Sequence, residues 1–434
     1  MDKMADVLGR AGAWCGQNKY LSAIKNAFQN FMPLTIAGAI GVLWCNVLVN
    51  ESTGLGMFFK PIMALDFLNP AFQAVNFCTI SCITVGITLG IAQEIGVWNM
   101  GAERAGYIPG LVGLAAWLSV TNTSHMVDGA KEAFTGIAGN ELGATGLFTG
   151  MIIGVLSVEL FCFFEKQDAL KIKMPEQVPP GVARAFEVLV PATITLIITA
   201  CIGSACYNLT GLYLNDVIKN GIQGPLGAVG ATLPGVMIIY LVIMLFWLVG
   251  IHGNNMLSAV KEALFTPLAL ENVEAFNKGE TPKNIINMYA LQMWGEFGGS
   301  GVTIGLVIAI MIFGKREDNK AIATLSLVPG LFNINETVTF GIPMVLNPIL
   351  GIPFVVAPLV TIIIGYVLTV IGFCPVACLT VPWTTPPIVF GFLACGANVM
   401  GAVTQAILIV VSTVIYVPFL ISYEKYQNKQ AAEA

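Results

Sequence analysis

Stretches of about twenty residues with hardly a charge in them recur along this chain, and they leave few ways to fold it. A bilayer core takes roughly 20 apolar residues to cross as a helix. Segments of that kind lie at 28–49, 71–92, 106–122, 143–164, 188–207, 228–250, 301–314, 351–373 and 402–422. The piece 301–314 is short, and Gly298, Gly299 and Ser300 ahead of it extend it. Apolar residues make up 56% of the chain and charged residues only 10%, against about 25% charged in a soluble domain. Mean hydropathy is +0.80. The chain reads as an all-α integral membrane protein.

Charge bias sets the orientation, because basic loops stay on the cytoplasmic side. Residues 1–27 carry Lys3, Arg10, Lys19 and Lys25 among apolar positions, without the clean apolar core of a signal peptide. This arm reads as an amphipathic interfacial helix feeding the first span. After the fourth span come Lys166, Lys171, Lys173 and Arg184; before it come Asp128, Glu132 and Glu141 with Lys131. A second basic loop, Lys315 to Lys320, follows 301–314. For both basic loops to face the cytoplasm, one more crossing is needed between 253 and 300. The best candidate is 285–294. The expectation is therefore about ten transmembrane helices, with both termini cytoplasmic. Two apolar stretches remain, 321–349 and 376–400, both interrupted by helix breakers. They read as two re-entrant hairpins, a backbone form tolerated at membrane depth only where protein or a water-filled cavity surrounds it. The chain divides into the arm 1–27, membrane parts 28–225 and 226–424, and a tail 425–434.

Several functions are excluded early. The net charge of -5 and the lack of a basic stripe give nucleic acid nothing to hold. The ten cysteines sit mostly in apolar runs without histidine or carboxylate companions, so they read as free thiols and no metal is expected. No phosphate-binding loop, nucleophile elbow or zinc-protease motif occurs, and no cofactor is expected.

What stands out is Glu336, in Phe332-Asn333-Ile334-Asn335-Glu336-Thr337, bracketed by Pro329-Gly330 and Gly341-Ile342-Pro343. A carboxylate at membrane depth costs about 2.5–3.5 kcal/mol on insertion scales, and such groups are functional by default. Asn333 and Asn335 are candidates to bind with it or to cap broken helices. His252 and Asn254, in Gly250-Ile251-His252-Gly253-Asn254-Asn255, add an imidazole that donates and accepts when neutral, and an amide. Glu296 lies among small residues in Trp294-Gly295-Glu296-Phe297-Gly298-Gly299-Ser300. Trp383 stands among prolines and threonines, suited to stack on a sugar face or to sit in an interfacial belt. Glu159 is expected to snorkel or to pair with Lys166. The pairs Gly86/Gly90, Gly106/Gly110 and Gly295/Gly299 fit small-residue helix packing. Together these residues describe a transporter for a polar, neutral small molecule.

The motifs Gly250-Ile251-His252-Gly253, Gly298-Gly299-Ser300-Gly301, Pro329-Gly330-Leu331-Phe332-Asn333-Ile334-Asn335-Glu336 and Val381-Pro382-Trp383-Thr384-Thr385-Pro386-Pro387 resemble the enzyme IIC permease of the bacterial phosphotransferase system, in its lactose/cellobiose/diacetylchitobiose branch. Ala23-Ile24-Lys25-Asn26, Met32-Pro33-Leu34 and Pro175-Glu176-Gln177-Val178-Pro179-Pro180 extend the likeness along nearly the whole chain. The resemblance implies ten spans, two hairpins and a homodimer in the inner membrane of a bacterial cell, with 28–225 as scaffold and 226–424 holding the sugar site. It implies that His252 and Glu336 contact the disaccharide near its 6-hydroxyl, as catalytic residues. An elevator-like step carries the sugar, and a phosphocysteine of enzyme IIB phosphorylates it. Glu336 then acts as base or only orients the hydroxyl. Thr337 stands where many members have proline. No stretch fits a soluble IIB domain, so IIB and IIA are expected as separate proteins, and the chain is not by itself an enzyme. Which disaccharide is taken stays open among cellobiose, diacetylchitobiose and lactose. The alternatives are a proton-coupled sugar symporter, a sugar receptor and, least of all, an intramembrane hydrolase.

Overall fold

The computed structural model describes every residue except 1–9, 11–13, 15–16, 52–54, 126–133, 176, 226–229, 343, 345–346 and 434. Most of the arm, and Lys3, Asp128, Lys131, Glu132, Glu176 and Pro343, lie outside the described residues. The regular secondary structure of the described residues is helical apart from one pair of two-residue strands, Ser124–His125 and Phe134–Thr135. The helices used below are α1 (Lys19–Leu43), α2 (Ile83–Met100), α3 (Ile108–Val120), α4 (Ala144–Glu165), α5 (Pro180–Thr210), α6 (Leu233–Leu248), α7 (Gly253–Met256), α8 (Ser258–Asn277), α9 (Met288–Gly295), α10 (Ile304–Phe313), α11 (Glu317–Leu331), α12 (Glu336–Gly341), α13 (Gly351–Val370), α14 (Val389–Ala394) and α15 (Val399–Glu433).

Each of the ten predicted crossings contains a helix. Five helices among the described residues are long and apolar enough to cross a membrane, or six if Lys60–Ser81 and α2 form one bent span. The shorter ones cluster after residue 230. The predicted crossing 285–294 contains only α9, whose eight residues end one position beyond it and give about 12 Å of helix at 1.5 Å per residue. The preceding 20-residue helix α8 was not anticipated; its Lys261, Glu262, Glu271 and Glu274 mask it from a hydropathy reading. The two stretches read as hairpins hold short pieces: α11 and the six-residue α12 in one, the six-residue α14 in the other.

The chain forms two compact units, Gln17–Gly38 with Ala74–Gly227, and Met1–Gly16 with Ala39–Gln73 and Ala228–Ala434. Sequence reading draws a single line at 225, whereas residues 39–73 belong with the later unit.

In the first unit α2 is central. Ile83, Ile87, Ile91 and Ile95, four residues apart, are at most 2% exposed. Such a stripe faces one neighbour, as i and i+4 share a helix face. Helices α2, α3 and α4 pack on one another through small residues. A Cβ on Gly113 would lie 2.3 Å from Ala92 Cβ, and one on Gly150 would lie 2.2 Å from Thr88 Oγ1. Gly86 and Gly90 take Phe31 and Ala27 of α1 in the same way, as small-residue packing predicts. Gly106 does not: it turns the chain at φ +52 with nothing near its Cβ position. Glu159 pairs with Lys19 at 2.6 Å rather than with Lys166. The buried Glu165 receives Arg104 at 2.8 Å and Arg184 at 2.9 Å, and Glu187 bridges the same two arginines.

In the second unit, α10, α13 and α14 pack against α15, and α6 and α9 against α13. Trp294 of α9, 1% exposed, lies where a Cβ on Gly365 of α13 would sit 2.3 Å from its ring.

Replacing Glu165 by alanine removes the buried carboxylate shared by two arginines and leaves Arg184, whose side chain is only 18% exposed, with Glu187 alone. We expect a loss of about 3 kcal/mol, the usual result of breaking a buried pair, read as a lower Tm of the detergent-purified protein. Glu159→Ala, which removes a carboxylate whose side chain is 31% exposed, should change Tm far less.

Candidate functional site

Four breaks in the second unit's helices meet around one cavity of about 480 Å³, a size typical of small-molecule sites.

The first break follows α6. Gly250 takes φ +82, and Gly250 and Ile251 donate back to the carbonyls of Trp247 and Phe246, which closes the helix with a left-handed residue. His252 then caps α7: its Nδ1 accepts the Asn255 N–H at 3.3 Å. Its ring lies 4.4 Å from that of Trp247. Gly253 presses on α6 so closely that a Cβ would lie 2.0 Å from the Ile243 carbonyl oxygen. No side chain fits there.

The second break, Glu296–Thr303, joins α9 to α10. Gly298, Gly299 and Gly301 take φ of +70, +87 and +79, a region open mainly to glycine. Helix α15 holds this segment from behind: Tyr416 Oη donates to the Gly301 carbonyl at 2.8 Å and Ser412 Oγ to that of Val302 at 2.9 Å. The third break, Phe332–Asn335, precedes Glu336, which opens α12. The fourth runs through Trp383 to Ile388. There Gln405 Oε1 accepts the N–H groups of Ile388 and Gly391, while its Nε2 donates to the Met293 carbonyl.

Side-chain amides tie the breaks together. Asn333 Oδ1 accepts the Gly298 N–H at 2.6 Å, and its Nδ2 donates to the carbonyls of Trp383 at 2.5 Å and Thr385 at 3.0 Å. Asn335 Nδ2 donates to the Ser300 carbonyl at 2.7 Å, and Asn254 Nδ2 to Ser300 Oγ at 3.0 Å.

All seven residues singled out from sequence line this cavity: His252, Asn254, Glu296, Asn333, Asn335, Glu336 and Trp383. They stand there differently. Asn333 and Asn335 spend their amides on backbone. Thr384 and Thr385 are not among the lining residues. Glu296 sits in a buried ion pair with Lys261, which also leans on Tyr240. Sequence reading missed Lys261, Ser300, Gln292 and Gln405. The signal for Lys261 was a cation with apolar residues on both sides, Ala259 and Val260 before it and Ala263 to Phe265 after it. Glutamines 292 and 405 carried none.

His252 Nε2 and Glu336 Oε1 face each other at 3.7 Å, with side chains 38% and 46% exposed. That is too long for a direct hydrogen bond, and an oxygen set to one side of the pair lies within hydrogen-bond reach of both atoms. Because Nδ1 accepts a backbone N–H, a neutral ring carries its proton on Nε2. A hydroxyl oxygen beside the pair can accept from Nε2–H and donate to the carboxylate.

Removing the Asn333 amide opens three contacts at once and leaves an alanine at φ +63. We expect Asn333→Ala to cost about 2–3 kcal/mol, measured as a Tm drop. Asn333→Asp should fare as badly, because a carboxylate can take the Gly298 N–H but repels the two carbonyls.

The family model for "Phosphotransferase system, EIIC" matches residues 25–358. The oligo-beta-mannoside-specific EIIC component of Bacillus subtilis is 32% identical, over 98% of this chain and 94% of that protein. The cellobiose-specific EIIC component of Lactococcus lactis is 30% identical, over 98% of each. Among solved structures, the transporter ChbC, the IIC component from the N,N'-diacetylchitobiose-specific phosphotransferase system, superposes with a TM-score of 0.88 at 30% identity over 97% of both chains. The motifs, the helical fold and these matches agree: the chain belongs to the phosphotransferase system EIIC family of membrane permeases.

Proposed function

We propose that this permease imports a β-linked disaccharide and presents its 6-hydroxyl to phosphorylated enzyme IIB. The observation that carries the reading is the His252–Glu336 gap, which suits one hydroxyl. Relatives named for oligo-beta-mannoside, cellobiose and diacetylchitobiose support the substrate class. So does the lining, which mixes amides and carboxylates with the exposed face of Trp383 and includes no lysine or arginine.

In this reading the sugar oxygen attacks phosphorus, forming the O–P bond as the S–P bond of the phosphocysteine breaks. The hydroxyl proton passes to Glu336, and cysteine leaves as thiolate. His252 holds the attacking oxygen through Nε2–H. Such positioning supplies most of the catalysis in phosphoryl transfer. The unit that holds the cavity carries the sugar across the bacterial inner membrane in an elevator-like step, and the other unit, mostly residues 74–227, forms the scaffold of a homodimer with both termini cytoplasmic. IIA recharges IIB.

The test supplies phospho-IIB to membranes carrying the chain and follows sugar phosphate. Glu336→Gln should keep disaccharide binding within a few-fold and lose phosphorylation by roughly 100-fold or more, the usual share of a general base. Full phosphorylation by Glu336→Gln would remove it as base. Uptake that proceeds without IIB and collapses with an uncoupler would instead favour a proton symporter. Competition among cellobiose, diacetylchitobiose and lactose identifies the sugar.

A further inference from the structure

The cavity holds a second carboxylate, Glu296, and its surroundings differ from those of Glu336. Its side chain is 17% exposed and that of its partner Lys261 only 7%. Tyr240, fully buried, donates to Glu296 Oε1 at 2.7 Å, and Lys261 Nζ meets that same oxygen. Lys261 also lies over the Tyr240 ring, 5.6 Å from its centroid. Both donors thus fall on Oε1. Among the described residues, no hydrogen bond is made to Oε2, and the residue lines the cavity.

Resting on the sugar-binding reading above, we infer that Lys261 is a positioning residue for the site: with Tyr240 it holds Glu296 as an oriented carboxylate whose free oxygen accepts a substrate hydroxyl.

The physical argument is one of compensation. A carboxylate this far from water persists only when paired, and a pair that loses one member leaves an uncompensated charge. A buried carboxylate that has lost its counter-ion favours its neutral acid form. It then meets the cavity as a neutral acid, a weaker acceptor than a carboxylate. Lys261 belongs to α8, whose chain follows directly from the His252–Asn254 segment, and Glu296 opens the Gly298–Ser300 segment. The ion pair therefore also fixes two of the four breaks to each other. The charged and titratable groups facing it are Tyr240 of α6, Glu262 beside Lys261 on α8, and His252; Glu336 lines the same cavity. Glu262 itself accepts from Thr266 Oγ1 at 2.5 Å.

The experiment measures equilibrium binding of radiolabelled cellobiose, diacetylchitobiose and lactose to the full-length purified protein across a pH series. Lys261→Met should weaken binding roughly tenfold or more at neutral pH, the value of one charge-assisted hydrogen bond. Affinity should recover as pH rises and Glu296 ionises. Lys261→Arg should keep the wild-type profile. Adding Glu296→Gln to Lys261→Met should leave binding weak and erase the new pH dependence. Each profile is read as a ratio to wild type, so that groups common to all variants cancel. A merely structural lysine predicts the same loss at every pH, and that result, or unchanged affinity in Lys261→Met, overturns the inference. If Lys261→Met does not purify as a monodisperse protein, Tyr240→Phe carries the test: it should shift the profile in the same sense by a smaller amount, and an unshifted profile counts against the inference. Wild-type protein that binds none of the three sugars refutes the sugar reading itself, and this inference with it. Wild-type binding beside an unaltered Lys261→Met refutes the inference alone.

Discussion

Backbone groups freed from helices at membrane depth must find partners inside the protein, because lipid offers none. In this permease the asparagine side chain at 333 meets much of that demand. One amide, donor at one end and acceptor at the other, takes an N–H from the loop after α9 and gives to two carbonyls of the loop before α14. Gln405 repeats the device behind α14, and Asn335 repeats it at Ser300. Without these bonds, four interrupted helices would carry uncompensated polar groups into an apolar medium, at several kcal/mol each. With them, irregular backbone becomes a rigid wall.

That wall lets two carboxylates occupy one cavity on different terms. Glu336 keeps nearly half its surface open and faces His252 across a gap. Glu296 is screened by Lys261 and Tyr240. In the proposed mechanism the open one takes the proton, whereas the screened one only accepts a hydrogen bond. Their division of labour follows from burial and neighbours, not from residue type, as the principles of buried ionisable groups require.

Much of this was legible in the sequence. Hydropathy located the helices, since the membrane imposes a length and an apolar content on each of them. The broken stretches announced themselves through proline and glycine, and Glu336 through its cost. What could not be read was pairing. Asn333 lies 35 residues from Gly298 and 50 from Trp383, and nothing local says whether an amide faces a ligand or a carbonyl. Lys261 and Glu296 are 35 residues apart. Helix α8 stayed hidden because its charges lower its hydropathy, although part of that charge is neutralised inside the fold. The arginine clamp on Glu165 was equally silent, because its partners come from segments 61 and 19 residues away.

The tight seat of Gly253 against the Ile243 carbonyl bears on how a site like this diversifies. Where backbone touches backbone, and where amides are spent on carbonyls, mutation has no neutral neighbours to explore. Gln292 and Phe390 line the same cavity without stitching any loop through their side chains, and among the described residues the side-chain Oε1 of Gln292 has no partner. Drift can act at those positions while the frame stays intact. Ligand preference is thereby uncoupled from folding, so one scaffold can be retuned to a different sugar through a few side chains.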